Sequence, residues 1–264
     1  MVLLGVCALC QIVHAPLGYA AAGVLAIAGL AHGAVEESAD GLSPVGVGQG
    51  IIYLVAAAAI FCFWVASPLA ALALFLGLSA WHFTVSSEQS RLPALSVALI
   101  AIGGSALFRS GETWAIFELM VGGAVPQTFM VGLSILGAAG CLLAAASVLR
   151  DRNLFLELAS AVIAVAVLQP VLAVAFVFFA LHALPVTLRL CRSHGADRFR
   201  RAALLPTALA ASGMAILAFI AMAASLDVRF VAAILIALAT PHMLIDRLGL
   251  GFPADQSKRL QNSA

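Results

Sequence analysis

Charge is what this chain has least of. Only 9% of its 264 residues are Asp, Glu, Lys or Arg, and 64% are hydrophobic. A soluble domain carries about a quarter charged residues. Too little polar surface remains to face water, and with a mean hydropathy of +1.13 the chain reads as an integral membrane protein. No basic patch is interleaved with aromatic residues, which excludes a nucleic-acid-binding surface. The first residues lack a basic stretch, so no cleaved signal peptide is expected. Cysteine is sparse and scattered, at positions 7, 10, 62, 141 and 191. Cys7 and Cys10 form a CxxC in an apolar segment without a second pair, so packing is the expected role rather than metal or redox chemistry. There is no long polar domain, repeat or low-complexity tract. Ala and Gly are abundant, as close packing of helices in lipid requires.

What the chain does have is a series of apolar runs separated by short polar or Pro/Gly breaks. They fall at roughly 17–35, 50–66, 69–85, 93–108, 127–149, 154–169, 171–191, 202–224 and 229–248. A helix needs about 20 residues to cross the hydrocarbon core, so several are short. Reading through Ser67-Pro68 and Gln169-Pro170 would give runs too long for one straight crossing at ~1.5 Å per residue. Two tight hairpins are the better reading, with a kinked span as the alternative. Residues 2–13 are expected to form a partial span or an interfacial helix. The expected fold is an all-α polytopic transmembrane bundle of about eight or nine spans. It forms a single integral membrane domain over 1–264 and ends in a short basic tail over about 249–264.

Loop charges give the orientation. Arg150 and Arg152, then Arg189, Arg192, Arg198, Arg200 and Arg201, then Arg247, Lys258 and Arg259 mark three basic regions. The positive-inside rule makes all three cytoplasmic, and a nine-span count puts them on one side. The expected location is the cell (inner) membrane, with the C-terminus in the cytoplasm. The loop 109–126 then falls outside. The acidic loop 36–49, with Glu36, Glu37 and Asp40, falls inside.

Six histidines punctuate the chain, at 14, 32, 82, 182, 194 and 242. His194 lies in a basic loop and His14 beside Pro16 near the opposite face. His32, His82, His182 and His242 lie within apolar runs, on spans that all run in the same direction, in the cytoplasmic half. One such histidine can serve as a hydrogen-bonding contact between helices. Four at similar depth point to function, because ionisable groups inside a membrane usually face an interior cavity. Four neutral imidazoles converging from four helices would make a metal site, and imidazole suits iron, copper, zinc or nickel. Glu36 follows His32 by four residues and Asp246 follows His242 by four, a spacing that shares a helix face. A carboxylate there would fix the tautomer and orientation of a ligating ring; the plain alternative is that both acids end loops.

The stretches "GLAHGAVE", "SAWHF", "FFALHAL" and "ATPHMLID", in this order, resemble the Brp/Blh family of membrane β-carotene 15,15′-dioxygenases. The resemblance runs from about residue 25 to 248. It implies a polytopic enzyme that holds non-haem iron(II), Fe(2+), with histidines and uses O2 to cleave the central double bond of β-carotene into two retinals. His32, His82 and His182 match the family's iron-ligand positions, and His242 matches its Pro-His motif. The departures are Ala31 for Pro, Glu36 for Asp, Thr84 for the Gly after His-Phe, and Val186 for the second His of a His-x-x-x-His pair. Pro185 also interrupts that helix. Valine cannot ligate a metal, so His242 would complete the site, or three histidines and water would form it, or the activity is changed or lost.

A carotenoid partitions into lipid, so an apolar, aromatic cleft between helices would suit it. Candidate liners are Tyr53, Phe63, Trp64, Phe176 and, foremost, Trp81, Phe83, Phe178 and Phe179. Each could instead pack helices or face lipid, and Tyr53 and Trp64 could anchor at the interface. The expected partners are β-carotene, O2 and the bilayer, with no nucleic acid. Other classes stay open. These are a haem- or quinone-binding electron carrier, a transporter or scaffold, and a divergent non-catalytic member of the same fold. A di-iron desaturase would need some eight histidines in clustered boxes, which this chain lacks. No Ser-His-Asp triad is visible.

Overall fold

The computed structural model describes residues 1–36, 47–86, 90–223, 225 and 227–245. Among them every regular element is helical. The order is α1 (Val2–Val13), α2 (Ala15–Glu36), α3 (Val47–Ala66), α4 (Pro68–Ser86), α5 (Arg91–Phe108), α6 (Ser110–Val121) and α7 (Gln127–Arg150). A 3-10 turn (Arg152–Leu154) leads into α8 (Phe155–Val167), then α9 (Pro170–Phe178), a π-helical turn (Phe179–Ala183) and α10 (Leu184–His194). The last two are α11 (Ala196–Ala223) and α12 (Val228–Ile245). Four continuous stretches, 68–85, 91–108, 127–150 and 170–194, are long and apolar enough to cross a membrane, with shorter apolar helices beside them. Helices are the expected solution, because hydrocarbon offers no partner for an open backbone N–H or C=O.

The most buried of the four long stretches is α5. Its small residues explain this: Ala94, Ala98, Ala101, Gly103, Gly104 and Ala106 are all buried. A Cβ placed on Gly137 of α7 would lie 2.4 Å from the Gly103 carbonyl oxygen, so the two backbones touch. Ser134 donates to the Ala106 carbonyl at 3.0 Å one turn away. The helices therefore pack antiparallel with 134 opposite 106 and 137 opposite 103. Lipid tails are as apolar as Leu, so such close backbone contact is what holds membrane helices together.

A second group is built on α12. Tyr53 of α3 donates its hydroxyl to the Leu238 carbonyl, and Trp64, further along α3, clusters with Ala232 and Ala233. Ala71 and Leu72 of α4 join that cluster, while Ser79 donates to the Met243 sulfur at 3.7 Å. Thus α3 runs against α12 and α4 runs along it. The break at Ser67-Pro68 is a hairpin, with Pro68 opening α4, where a missing N–H costs nothing.

At the second break, Leu168 and Gln169 are extended and Pro170 opens α9. The end of α8 is capped from its neighbours. Arg109 donates to the Val167 carbonyl at 3.0 Å, and Gln11 of α1 donates to the same oxygen at 3.2 Å. These contacts satisfy groups that a helix end leaves open. Residues 2–13 form α1, and Cys7 is buried in it by packing.

The segment 109–126 is not simply a loop. It contains α6, held by Trp114 donating to Glu118 at 3.1 Å and closed by Gly122 in the left-handed region (φ 70°). The side chain of Arg229, at the start of α12, lies directly over Gly122, leaving no room there for a Cβ. An αL position at a helix end favours glycine.

Candidate functional site

The two helix groups meet where α4 ends. His82 is 3% exposed and His182 is 4% exposed, and their ring centroids lie 5.2 Å apart, edge to face. The Nε2 atom of His182 is closed off from solvent. Phe83 stacks on His182 with centroids 4.5 Å apart and planes 24° from parallel. Phe178, one turn before His182, stands 6.1 Å from both Phe83 and His182. Two imidazoles and two phenyl rings thus share one buried spot between helices, where bundles place ligands and cofactors.

His182 owes its position to a local departure from α-helix. The Leu184 N–H donates to the Phe179 carbonyl, five residues back. Pro185 follows directly; a proline inside an α-helix lacks its N–H and drives its ring against the carbonyl four residues earlier. A π turn widens the helix at that carbonyl and lets the chain continue to His194. Pro185 therefore reshapes the helix without ending it. π turns of this kind are frequent at functional sites.

α2 approaches from the other side. A Cβ on Gly18 would lie 3.1 Å from Gln169 Oε1, and one on Gly29 would lie 2.2 Å from Phe178 Cε1. So α2 runs along α9 in the same sense, and its backbone at Gly29 supports the Phe178 ring. His32 follows within the next turn of the same helix. On α12, Met243 touches Ser79, three residues before His82, and His242 precedes Met243. The side chains of His32, Glu36 and His242 lie outside the described residues, as do Asp246 and the tail 249–264. Among the described residues no three His, Cys, Asp or Glu side chains come together.

The aromatic candidates divide. Phe83 and Phe178 stand at the histidines and Phe179 lies in the π turn. Trp81 is 39% exposed on the outer surface of α4 and Phe63 is also exposed, whereas Trp64 and Phe176 are buried in packing clusters. Tyr53 is engaged with Leu238. Val186 is buried in α10. The sequence reading missed the π turn, the Ser79–Met243 contact and the role of Gly29. Pro185 three residues after His182 was the one available signal for the first.

The donor set suits a transition metal. Neutral imidazole is a ligand of choice for iron, copper, nickel and zinc, and His82 and His182, 5.2 Å apart between ring centroids, bring two such donors into one buried place.

Fold and site together define an all-helical protein of membrane character with a buried histidine pair at a junction of helix groups. The family model for beta-carotene 15,15′-dioxygenase matches residues 23–248. The chain belongs to that family. Comparison with curated proteins and with solved structures gave no match.

Proposed function

We propose that this protein is a multi-pass enzyme of the cell (inner) membrane, with eight or nine crossings and a cytoplasmic C-terminus, that cleaves β-carotene at its central 15,15′ double bond with O2 to give two retinals. The observation that carries this reading is the buried His82–His182 pair, 5.2 Å apart in a chain of this family. His82 and His182 would hold Fe(2+), joined by His32 from α2 and His242 from α12. Glu36 and Asp246 would orient the two outer ligands through their second ring nitrogens. When bound, iron(II) supplies the O2-activating chemistry that no amino-acid side chain provides.

The protein's own residues do the rest. Helices packed around the pair keep water out, which protects a reactive oxidation from side reactions. An apolar rod reaches the site from the lipid, where it is already dissolved, and aromatic side chains at Trp81, Phe83, Phe178 and Phe179 line its path. The position of the ring pair along that path selects the double bond that reacts. The test is purified protein supplied with Fe(2+), O2 and β-carotene in detergent, with products separated by chromatography. Retinal as the sole aldehyde is expected. Protein that stays folded and metal-loaded yet leaves β-carotene intact would refute the reading.

Val186 favours a second reading. Val186 is buried where the resemblance implies the second His of a His-x-x-x-His pair, which fits a membrane protein that binds metal or haem without cleaving carotenoid. A Soret band in the purified protein would select it.

A further inference from the structure

Phe83 and Phe178 do more at this site than offer apolar surface. Phe83 lies nearly flat on the imidazole of His182, 4.5 Å between centroids and 24° between planes. Its relation to Phe178 is also near parallel, at 24° and 6.1 Å. Phe178 in turn rests on Gly29, where an added Cβ would come within 2.2 Å of Cε1, 2.9 Å of Cζ and 3.0 Å of Cδ1. The three ring centroids form a triangle, with Phe178 6.1 Å from both Phe83 and His182, so the α2 backbone supports Phe178 and Phe178 braces the Phe83–His182 pair from the side. The His182 ring sits in a π turn, where the backbone hydrogen bonding is not that of a regular helix.

From this arrangement we infer that Phe83 is a positioning residue for His182, with Phe178 on Gly29 bracing both rings from the side, and that this clamp sets the direction of the ring nitrogens toward the bound metal. The inference rests on the proposal that the histidine pair holds a metal. Aromatic pairs prefer defined geometry and contribute about 2- to 13-fold to an equilibrium beyond the area they bury, less than the about 10- to 100-fold of groups that hydrogen-bond a ligating histidine. Leucine at position 83 keeps apolar bulk but loses the flat face. Tyrosine keeps the face. An alanine at position 29 acts from the far end, because its methyl must displace the Phe178 ring that braces Phe83 and His182 and leaves both of those residues chemically intact.

The experiment is titration of metal-free full-length protein in detergent with Co(II), read by its ligand-field absorption. Wild type, Phe83→Leu, Phe83→Tyr and Gly29→Ala are compared, with thermal unfolding recorded for each. The clamp predicts Co(II) binding weakened several-fold, up to about ten-fold, in Phe83→Leu, recovered in Phe83→Tyr and weakened several-fold in Gly29→Ala. Should Phe83→Leu fail to fold, Gly29→Ala and Phe83→Tyr still decide. Wild-type affinity in Gly29→Ala, or in a folded Phe83→Leu, would overturn the clamp while leaving the metal site standing. Wild-type protein that takes up no Co(II) would instead overturn the metal site itself.

Discussion

Gly137→Ala is the sharpest test of the packing that holds the site. The added methyl carbon would stand 2.4 Å from the Gly103 carbonyl oxygen, 2.5 Å from its carbon and 2.9 Å from the Gly104 nitrogen. All three are backbone atoms, so no side chain can swing away. Ordinary contact begins near 3.4 Å, and the helices must separate by about 1 Å. A gap of that size forfeits a quarter to a half of the dispersion attraction of each contact it opens, and overpacking of this kind costs about 1–3 kcal/mol. Against this, alanine gains up to about 1 kcal/mol over glycine in a helix interior. A net loss of about 1–2 kcal/mol is expected. Gly132→Ala is the control on the same helix, since nothing lies within 4 Å of its added carbon. It should be neutral or stabilising by up to about 1 kcal/mol. Reversible unfolding in mixed micelles, followed by circular dichroism, measures both. Equal stabilities for the two variants would refute the backbone contact between α5 and α7.

Tyr53→Phe removes the hydroxyl that donates to the Leu238 carbonyl while keeping the ring. A loss of about 1 kcal/mol is expected, visible as a lower unfolding midpoint in detergent with unchanged helix content. Metal removal should lower the midpoint as well. A ligand held at a hundred times its Kd stabilises by about 2.7 kcal/mol, so a chelator should destabilise wild type, and the double variant His82→Ala/His182→Ala should no longer respond to it. Asp227 provides a pH-dependent contact outside the membrane. The Arg229 guanidinium donates to its carboxylate at 2.7 Å and holds it below the ordinary carboxylate range. Its small stabilisation is complete above the unfolded carboxyl's pKa and is lost as the pH falls through the lowered folded value. Asp227→Asn should remove that acid limb from a plot of unfolding midpoint against pH.

The apolar runs were legible as helices because hydropathy reports what lipid demands of any crossing segment. The hairpin at Ser67-Pro68 followed from length alone, and Tyr53 and Ser79 show its two arms lying oppositely on α12. What hydropathy cannot report is rotation about a helix axis. His82 and His182 meet edge to face, and that rotation is set by packing between helices rather than by the hydropathy of either one. For the same reason Trp64 is buried between helices while Trp81 is exposed. The helix α6 escaped notice because its apolar run is short and begins among polar residues; Gly122 and the Trp114–Glu118 spacing were its local signals. The π turn escaped because residues 170–184, apart from His182, are apolar on every side, so a one-residue shift in the hydrogen-bond ladder leaves no mark on the pattern. Only Pro185, placed just after His182, marked it.

The most direct measurement is retinal formation in cells that accumulate β-carotene and express this chain. Wild type is predicted to bleach the carotenoid and yield retinal, whereas His82→Ala and His182→Ala, present in the membrane at equal level, yield none. Intact β-carotene with the wild-type protein present, or retinal still formed by both variants, would contradict the assignment of the reaction to the buried histidine pair.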